Sequence, residues 1–257
     1  MQELEPRTMF AGIPQLSSLP GAAHTLYLDF DGHFQATWNR TDSNQTYTNV
    51  NVGEFNLDGE AGISTSEAAA IQKIWETVAD DFAPFNVNVT TVAPLSFGNN
   101  SALRVVIGGT STATLRTSAG TTINIPSRDV FISNDDGTMV DTSGYAAINS
   151  YTNAEPNVVY VFAKYMSTWG NVYSEGHSRD LRAMIATTAS HEAGHAYGLV
   201  HHGDYDLGTS ITTPIMGSNT QGDRSIWSLY SSGNTTFDTT AHLTTLFGVR
   251  PDEFTGS

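Results

Sequence analysis

The sequence predicts a mixed α+β domain, and three observations carry that expectation. Ser64 and Glu67 have capping-box spacing ahead of apolar residues recurring every three and four positions, which marks a helix. Short apolar or alternating runs at 24–30, 86–92, 103–107 and 157–163 read as strands. A second helical pattern, beginning at Ser178, stops at Gly198. With no internal repeat and no clear linker, residues 24–257 are expected to form a single domain after an irregular lead-in over residues 1–23.

Residues 8–23 are rich in Pro, Gly and Ser, which favour turns over regular structure. His24–Phe30 (HTLYLDF) then alternates as a strand. Residues 37–62 are crowded with Thr, Asn, Asp and Gly and are expected to be long loops with a ragged hairpin. In the helix that follows, Ile71, Ile74, Trp75, Val78 and Phe82 share one face, and Pro84 stops it. Asn86–Val92 (NVNVTTV) alternates with one wet face. Leu103–Ile107 is a more buried strand closed by Gly108 and Gly109, and Asn157–Ala163 (NVVYVFA) is a strong one. Val130–Ser133 and Gly144–Tyr151 are weaker strand candidates. From Ser178, Leu181, Met184, Ile185 and Thr188 lead to His195 on a helical period, and Gly198 is its natural terminator. Beyond it the chain is mostly Gly, Ser, Thr and Asn, until a short helix near Thr240–Phe247.

The chain has 257 residues, 39% of them hydrophobic, which is enough for a sizeable core. No apolar run approaches the length of a membrane span. Met1–Arg7 is acidic and no apolar stretch follows, so no intact secretory signal peptide is expected. The net charge of −15, from 26 acidic against 11 basic residues, repels nucleic acid and anionic lipid. Such a surface suits solubility, cationic partners or bound calcium. The absence of cysteine excludes disulfides, thiolate metal sites and thiol nucleophiles.

The chemistry is concentrated at residues 191–201, His-Glu-Ala-Gly-His-Ala-Tyr-Gly-Leu-Val-His. Positions i and i+4 of a helix lie one above the other, so His191 and His195 can offer imidazole nitrogens to one ion. Glu192 sits beside the first ligand, placed to reach an attacking water rather than the metal. A continuing helix would point a third ligand away. Gly198, free to adopt positive φ, lets the chain turn and bring His201 back. Three neutral imidazoles leave zinc an open fourth position, the mark of a catalytic rather than a structural site.

This stretch carries in full the signature H-E-x-x-H-x-x-G-x-x-H, and the chain resembles the metzincin clan of zinc endopeptidases. Thr213-Pro214-Ile215-Met216-Gly217 is similar to the methionine turn that this family places beneath its zinc. His201-His202-Gly203-Asp204-Tyr205 is similar to serralysin-type bacterial enzymes. LYLDFDGH near the start and VADDFAPFNVNVTT after the first helix resemble secreted bacterial reprolysin-like members. The resemblance implies a metzincin-like zincin domain: a twisted, mostly parallel sheet with an antiparallel edge strand, an active-site helix below the cleft, and subdomains over 24–198 and 199–257. It further implies a secreted, monomeric zinc endopeptidase acting on protein or peptide substrates. Glu192 would be general base, Met216 a packing residue under the imidazoles, and Gly144–Tyr151 the edge along which substrate lies extended. Two departures stand out. Serralysins carry a Tyr two residues beyond the turn methionine where this chain has Ser218, so an assisting Tyr would come from elsewhere, with Tyr230 the candidate. Their glycine-rich calcium repeats have no counterpart here. His202, directly after a ligand, reads as a rim residue, and the loop from Gly217 to Trp227 as the pocket wall.

Two rival readings remain. Tyr27-Leu28-Asp29-Phe30-Asp31-Gly32 resembles the first motif of haloacid-dehalogenase-type phosphatases, with an Asp nucleophile and bound magnesium. That fold needs a later Lys, and Lys73 and Lys164 follow no obvious strand end; residues 86–163 also look nearly all strand. A zinc-binding module without turnover is the second. Asp29 and Asp31 are also candidate calcium ligands, as are the pairs Asp80 and Asp81, Asp135 and Asp136, and Asp204 and Asp206.

Overall fold

The computed structural model describes residues 11–40, 44–168, 180–201, 212–217, 224–232 and 235–251. In chain order these form β1 (His24–Asp29), β2 (His33–Arg40), β3 (Gln45–Val52), α1 (Thr65–Asp81), β4 (Val87–Thr90), β5 (Ala102–Ile107), β6 (Ser111–Arg116) and β7 (Thr122–Arg128). There follow β8 (Gly144–Tyr145), β9 (Val158–Val161), α2 (Ala163–Ser167), α3 (Leu181–Ala196), β10 (Thr212–Pro214), β11 (Arg224–Ile226), β12 (Leu229–Ser232), β13 (Thr235–Asp238) and α4 (Thr239–Phe247).

The continuous apolar runs of β1, β5 and β9 need cover on both faces, and they receive it. These strands lie side by side in a sheet of order β4-β1-β5-β9-β8, parallel throughout except for β8 at the edge, which runs antiparallel to β9. Alternation along each strand divides two cores. Val105, Ile107, Val159 and Val161 face α1 and α3, whereas Val106, Val158 and Tyr160 face the opposite side. There a four-stranded antiparallel sheet, β2-β3-β6-β7, supplies Trp38, Tyr47, Val50 and Leu115. The architecture is therefore mixed α+β, with four helices among the described residues, a mostly parallel sheet, and antiparallel strands besides. No helix among the described residues is long and apolar enough to cross a membrane.

The first helix starts where the sequence places its cap, whereas α3 starts at Leu181 rather than at Ser178. Ser64 accepts the N–H of Glu67 and Glu67 accepts that of Ser64, and α1 then buries Ala70, Ile71, Ile74 and Val78. Asp180 caps α3 by accepting the N–H of Arg182. Most of α3 from Ile185 to Ala196 is buried, and Ala186, Ala189 and Ala193 allow α1 and the sheet to approach closely.

A hairpin is present within 37–62, as expected, and residues 53–62 are loop, but the hairpin is longer and more regular than the expectation of long loops allowed. β2 and β3 are full strands paired from His33↔Val52 to Arg40↔Gln45. Their Thr and Asn residues imitate a loop composition. Thr is β-branched, however, and here Thr46 and Thr48 occupy the wetter face while Tyr47, Val50 and Val52 enter the core. The β6–β7 hairpin went unanticipated for the same reason. Val130–Ser133 is not a strand: Phe131 and Ile132 are buried, but only the single bridge Ser133↔Met139 forms. The expected strand over Gly144–Tyr151 shrinks to β8, and Asn157–Ala163 to β9, after which α2 begins at Ala163.

One edge of the parallel sheet is covered. The lead-in runs along β4, with Ser18 N–H donating to Val89 O at 3.0 Å and Thr91 N–H to Leu16 O at 3.0 Å. The opposite edge, β8, has no outer strand partner among the described residues.

Candidate metal centre

The site grows from the end of α3. Gly198 adopts φ +96°, Gly198 N–H donates to His195 O at 2.9 Å, and Leu199 N–H donates to Gly194 O at 2.9 Å. That pair of bonds is a Schellman motif, which ends the helix and satisfies its last carbonyls. The turn is held from two sides. Asn149 N–H donates to His195 O at 3.0 Å, and His242 Nε2 donates to Tyr197 O at 2.8 Å. The reversed chain then brings His201 back over the helix.

Three imidazoles meet there. His201 Nε2 lies 3.0 Å from His191 Nε2 and 3.1 Å from His195 Nε2. The other nitrogens of the helical pair are already committed: His191 Nδ1–H donates to Ile215 O at 2.6 Å and His195 Nδ1–H to Leu199 O at 2.8 Å. These bonds fix the tautomers, so both Nε2 lone pairs face His201. A single N–H on His201 could satisfy only one of them. Lone pairs crowded to 3 Å are relieved by a shared cation, and tetrahedral zinc with bonds of about 2.0–2.1 Å separates its nitrogens by about 3.3 Å. The donor set and its spacing fit zinc. Among the described residues, this trio is the one group of three or more His, Cys, Asp or Glu side chains able to share an ion. It is compatible with the zincin motif.

Met216 is buried in the turn Pro214–Gly217, closed by Gly217 N–H to Pro214 O at 3.0 Å. Its thioether lies under α3 at Gly194, where a β-carbon would stand 2.4 Å from Sδ. The same turn presents the Ile215 carbonyl to His191. That orienting role belongs to the backbone, and so it left no signal in the sequence.

Glu192 is 6% exposed, and burial pushes its carboxyl up to about 8. Burial, with the neighbouring His195, brings His191 down to about 3, and burial also lowers His201. At neutral pH the ligand imidazoles His191 and His201 are therefore neutral and available to a metal. A cavity of about 500 Å³ opens above them, walled by residues 142–148 on one side and by Glu192, Val200 and His201 on the other.

The calcium candidates fare differently. Asp29 Oδ2 accepts from Arg104 Nη1 at 2.5 Å and Asp29 Oδ1 from the Asp31 N–H at 3.1 Å. Asp29 is buried and neutralised by a guanidinium stacked 4.3 Å from the Phe97 ring, whereas Asp31 is exposed. Calcium has no support at this pair. A phosphatase nucleophile at Asp29 is blocked by the same ion pair, and Lys73 sits on the surface of α1 beside Glu76. Asp81 accepts from Ser190 Oγ at 2.6 Å and Asp135 from Gln45 Nε2 at 2.8 Å. Asp204, Asp206, His202, Ser218, the Tyr230 side chain and most of the expected pocket wall lie outside the described residues.

Compared with known protein families, with curated proteins and with solved structures, the chain matches none.

Two expected results follow from this geometry. Gly198→Ala forces a side chain into positive φ, at a cost of about 1–2 kcal/mol. Its β-carbon would also stand 2.4 Å from Asn149 Oδ1. The turn that returns His201 shifts, and zinc affinity measured by competition with a chromophoric chelator falls about 10–100-fold. The second result concerns pH. An unfolded chain ionises Glu192 near 4.5 but the metal-free fold only near 8, so its stability falls as pH rises between those values. His191 protonates near 6.5 when unfolded but near 3 when folded, so stability also falls as pH drops between those values. Calorimetry in chelator should place the stability maximum between pH 4.5 and 6.5. A metal-free protein more stable at pH 8 than in that window would contradict the burial of Glu192.

Proposed function

We propose that the chain is a zinc-dependent endopeptidase of the metzincin type. Support comes chiefly from one observation: three imidazole nitrogens converge within 3.1 Å along two edges, the tautomers of His191 and His195 set by backbone carbonyls, beside a buried carboxylate facing the same cavity. A zinc ion held by His191, His195 and His201 supplies Lewis acidity for the scissile carbonyl and the attacking water. Glu192 accepts the proton of that water and delivers it to the departing amine. The burial that raises its pKa also suits it to both tasks near neutral pH. The substrate lies extended along the side of β8 that has no strand partner among the described residues, gaining main-chain hydrogen bonds by strand addition. A protein that digests protein is best exported, and a secreted location belongs to the same proposal.

Zymography on a generic protein substrate tests metal, reaction and substrate class together. Clearing is expected in zinc, none in a chelator, and recovery when zinc is restored. One zinc per chain without clearing on several protein substrates would leave a binding module in place of an enzyme.

A further inference from the structure

We infer that Gly144 is a positioning residue for Glu192: the side chain missing from β8 is what lets the carboxylate lie directly against the edge strand and face the cavity. The catalytic consequence rests on the peptidase proposal; the geometry does not. A β-carbon on Gly144 would stand 2.6 Å from Glu192 Cγ, 2.7 Å from Oε1 and 2.9 Å from Cδ. Non-bonded carbons rest at about 3.5–4.0 Å, so something must move.

The surroundings decide what moves. Gly144 pairs with Val161, and the adjacent Ser143 carbonyl accepts the Phe162 N–H at 2.8 Å. The Gly144 carbonyl itself accepts from Thr142 Oγ1 at 2.7 Å. On the other side, α3 is wedged into the core by Ala189 and Ala193, both fully buried. Both backbones are thus tied, one by the ladder to β9 and the other by core packing. The carboxylate is the flexible end, so it gives way. Gly144 does not occupy the left-handed region, and alanine costs it no conformational strain. It is required by space alone.

Glycine also weakens a strand, and its use inside one marks a close approach of another group. Here the approaching group is Glu192. The strand proposed to receive substrate and the group proposed to take the proton are thereby held in contact, with no side chain between them. The position of the carboxylate relative to a docked peptide is set at Gly144.

The test compares wild type, Gly144→Ala, Glu192→Gln and the double variant. Zinc-loaded proteins are assayed on a peptide, and cobalt-loaded proteins are titrated with acetohydroxamic acid through the visible spectrum. The hydroxamate chelates the metal and hydrogen-bonds the neighbouring carboxylate, so it reads the position of Glu192 without turnover. Gly144→Ala is expected to keep one metal per chain and its melting temperature. Its kcat should fall about 100-fold with KM changed by less than about threefold, and the hydroxamate Kd should rise about tenfold. The double variant should be no worse than Glu192→Gln alone, because both substitutions act on one group. Wild-type hydroxamate affinity in Gly144→Ala, or losses that multiply with those of Glu192→Gln, would overturn the inference. Should Gly144→Ala lose metal or fold, adding Glu192→Ala must restore them by removing all three clashing atoms; failure to do so also overturns it. A wild type that cleaves no peptide while the hydroxamate pattern holds would remove the peptidase proposal and leave the positioning role standing.

Discussion

Glu192→Ala should leave one zinc per chain and abolish nearly all peptide hydrolysis, lowering kcat by about three orders of magnitude or more. The reason lies in the division of labour around the ion. The three imidazoles are the proposed ligands, and Glu192 is beside them rather than among them: the nitrogens that converge belong to His191, His195 and His201. Removing the carboxylate deletes the proton acceptor and leaves the donor set whole. Metal analysis by atomic absorption and rates on a quenched peptide check both halves. Undiminished turnover would remove Glu192 from the mechanism, and loss of zinc would make it a ligand.

His195→Ala should have the opposite profile, losing the metal and hence all activity. Structural zinc sites bind with roughly 10–16 kcal/mol shared among four ligands, so one ligand carries about 2.5–4 kcal/mol, a loss of roughly 70–900-fold in affinity. His195 does more than offer Nε2. Its Nδ1–H also bonds the Leu199 carbonyl at 2.8 Å, in the turn that returns His201. Truncation therefore loosens a second ligand as well. Far-ultraviolet circular dichroism should stay that of the wild type, because α3 is held along its length by buried Ala, Thr and Ile residues. Full zinc occupancy in this variant at micromolar metal would contradict a three-imidazole site.

The metal trio was legible because its information is local. His191 and His195 need only a helix, and the sequence marks that helix from its apolar period to Gly198. The return of His201 needs one turn, and a glycine announces it. What the sequence withheld depends on partners distant along the chain. Leu199 and Ile215 contribute carbonyls, which no side chain reports. Asn149, between β8 and β9, steadies the turn through its main-chain N–H, which its side chain does not report either. Asp29 and Asp31 look like a cation pair in sequence; Arg104, 75 residues away, converts one of them into half of a buried ion pair. The fold was legible to a similar degree. α1 and the buried strands β1, β5 and β9 follow from apolar pattern. The full extent of the β2–β3 hairpin and the whole of β6–β7 were hidden because threonine-rich strands with one wet face share their composition with loops.

The lead-in strapped along β4 has a consequence for self-association. A sheet with both borders bare can recruit copies of itself without limit, whereas this parallel sheet is hemmed on one border by its own chain. Through this sheet, as far as the described residues form it, two molecules could join only β8 to β8, and the pair would then be closed there to a third. The same union would occlude both clefts, so association through that sheet would end in a self-inhibited couple rather than a growing fibre.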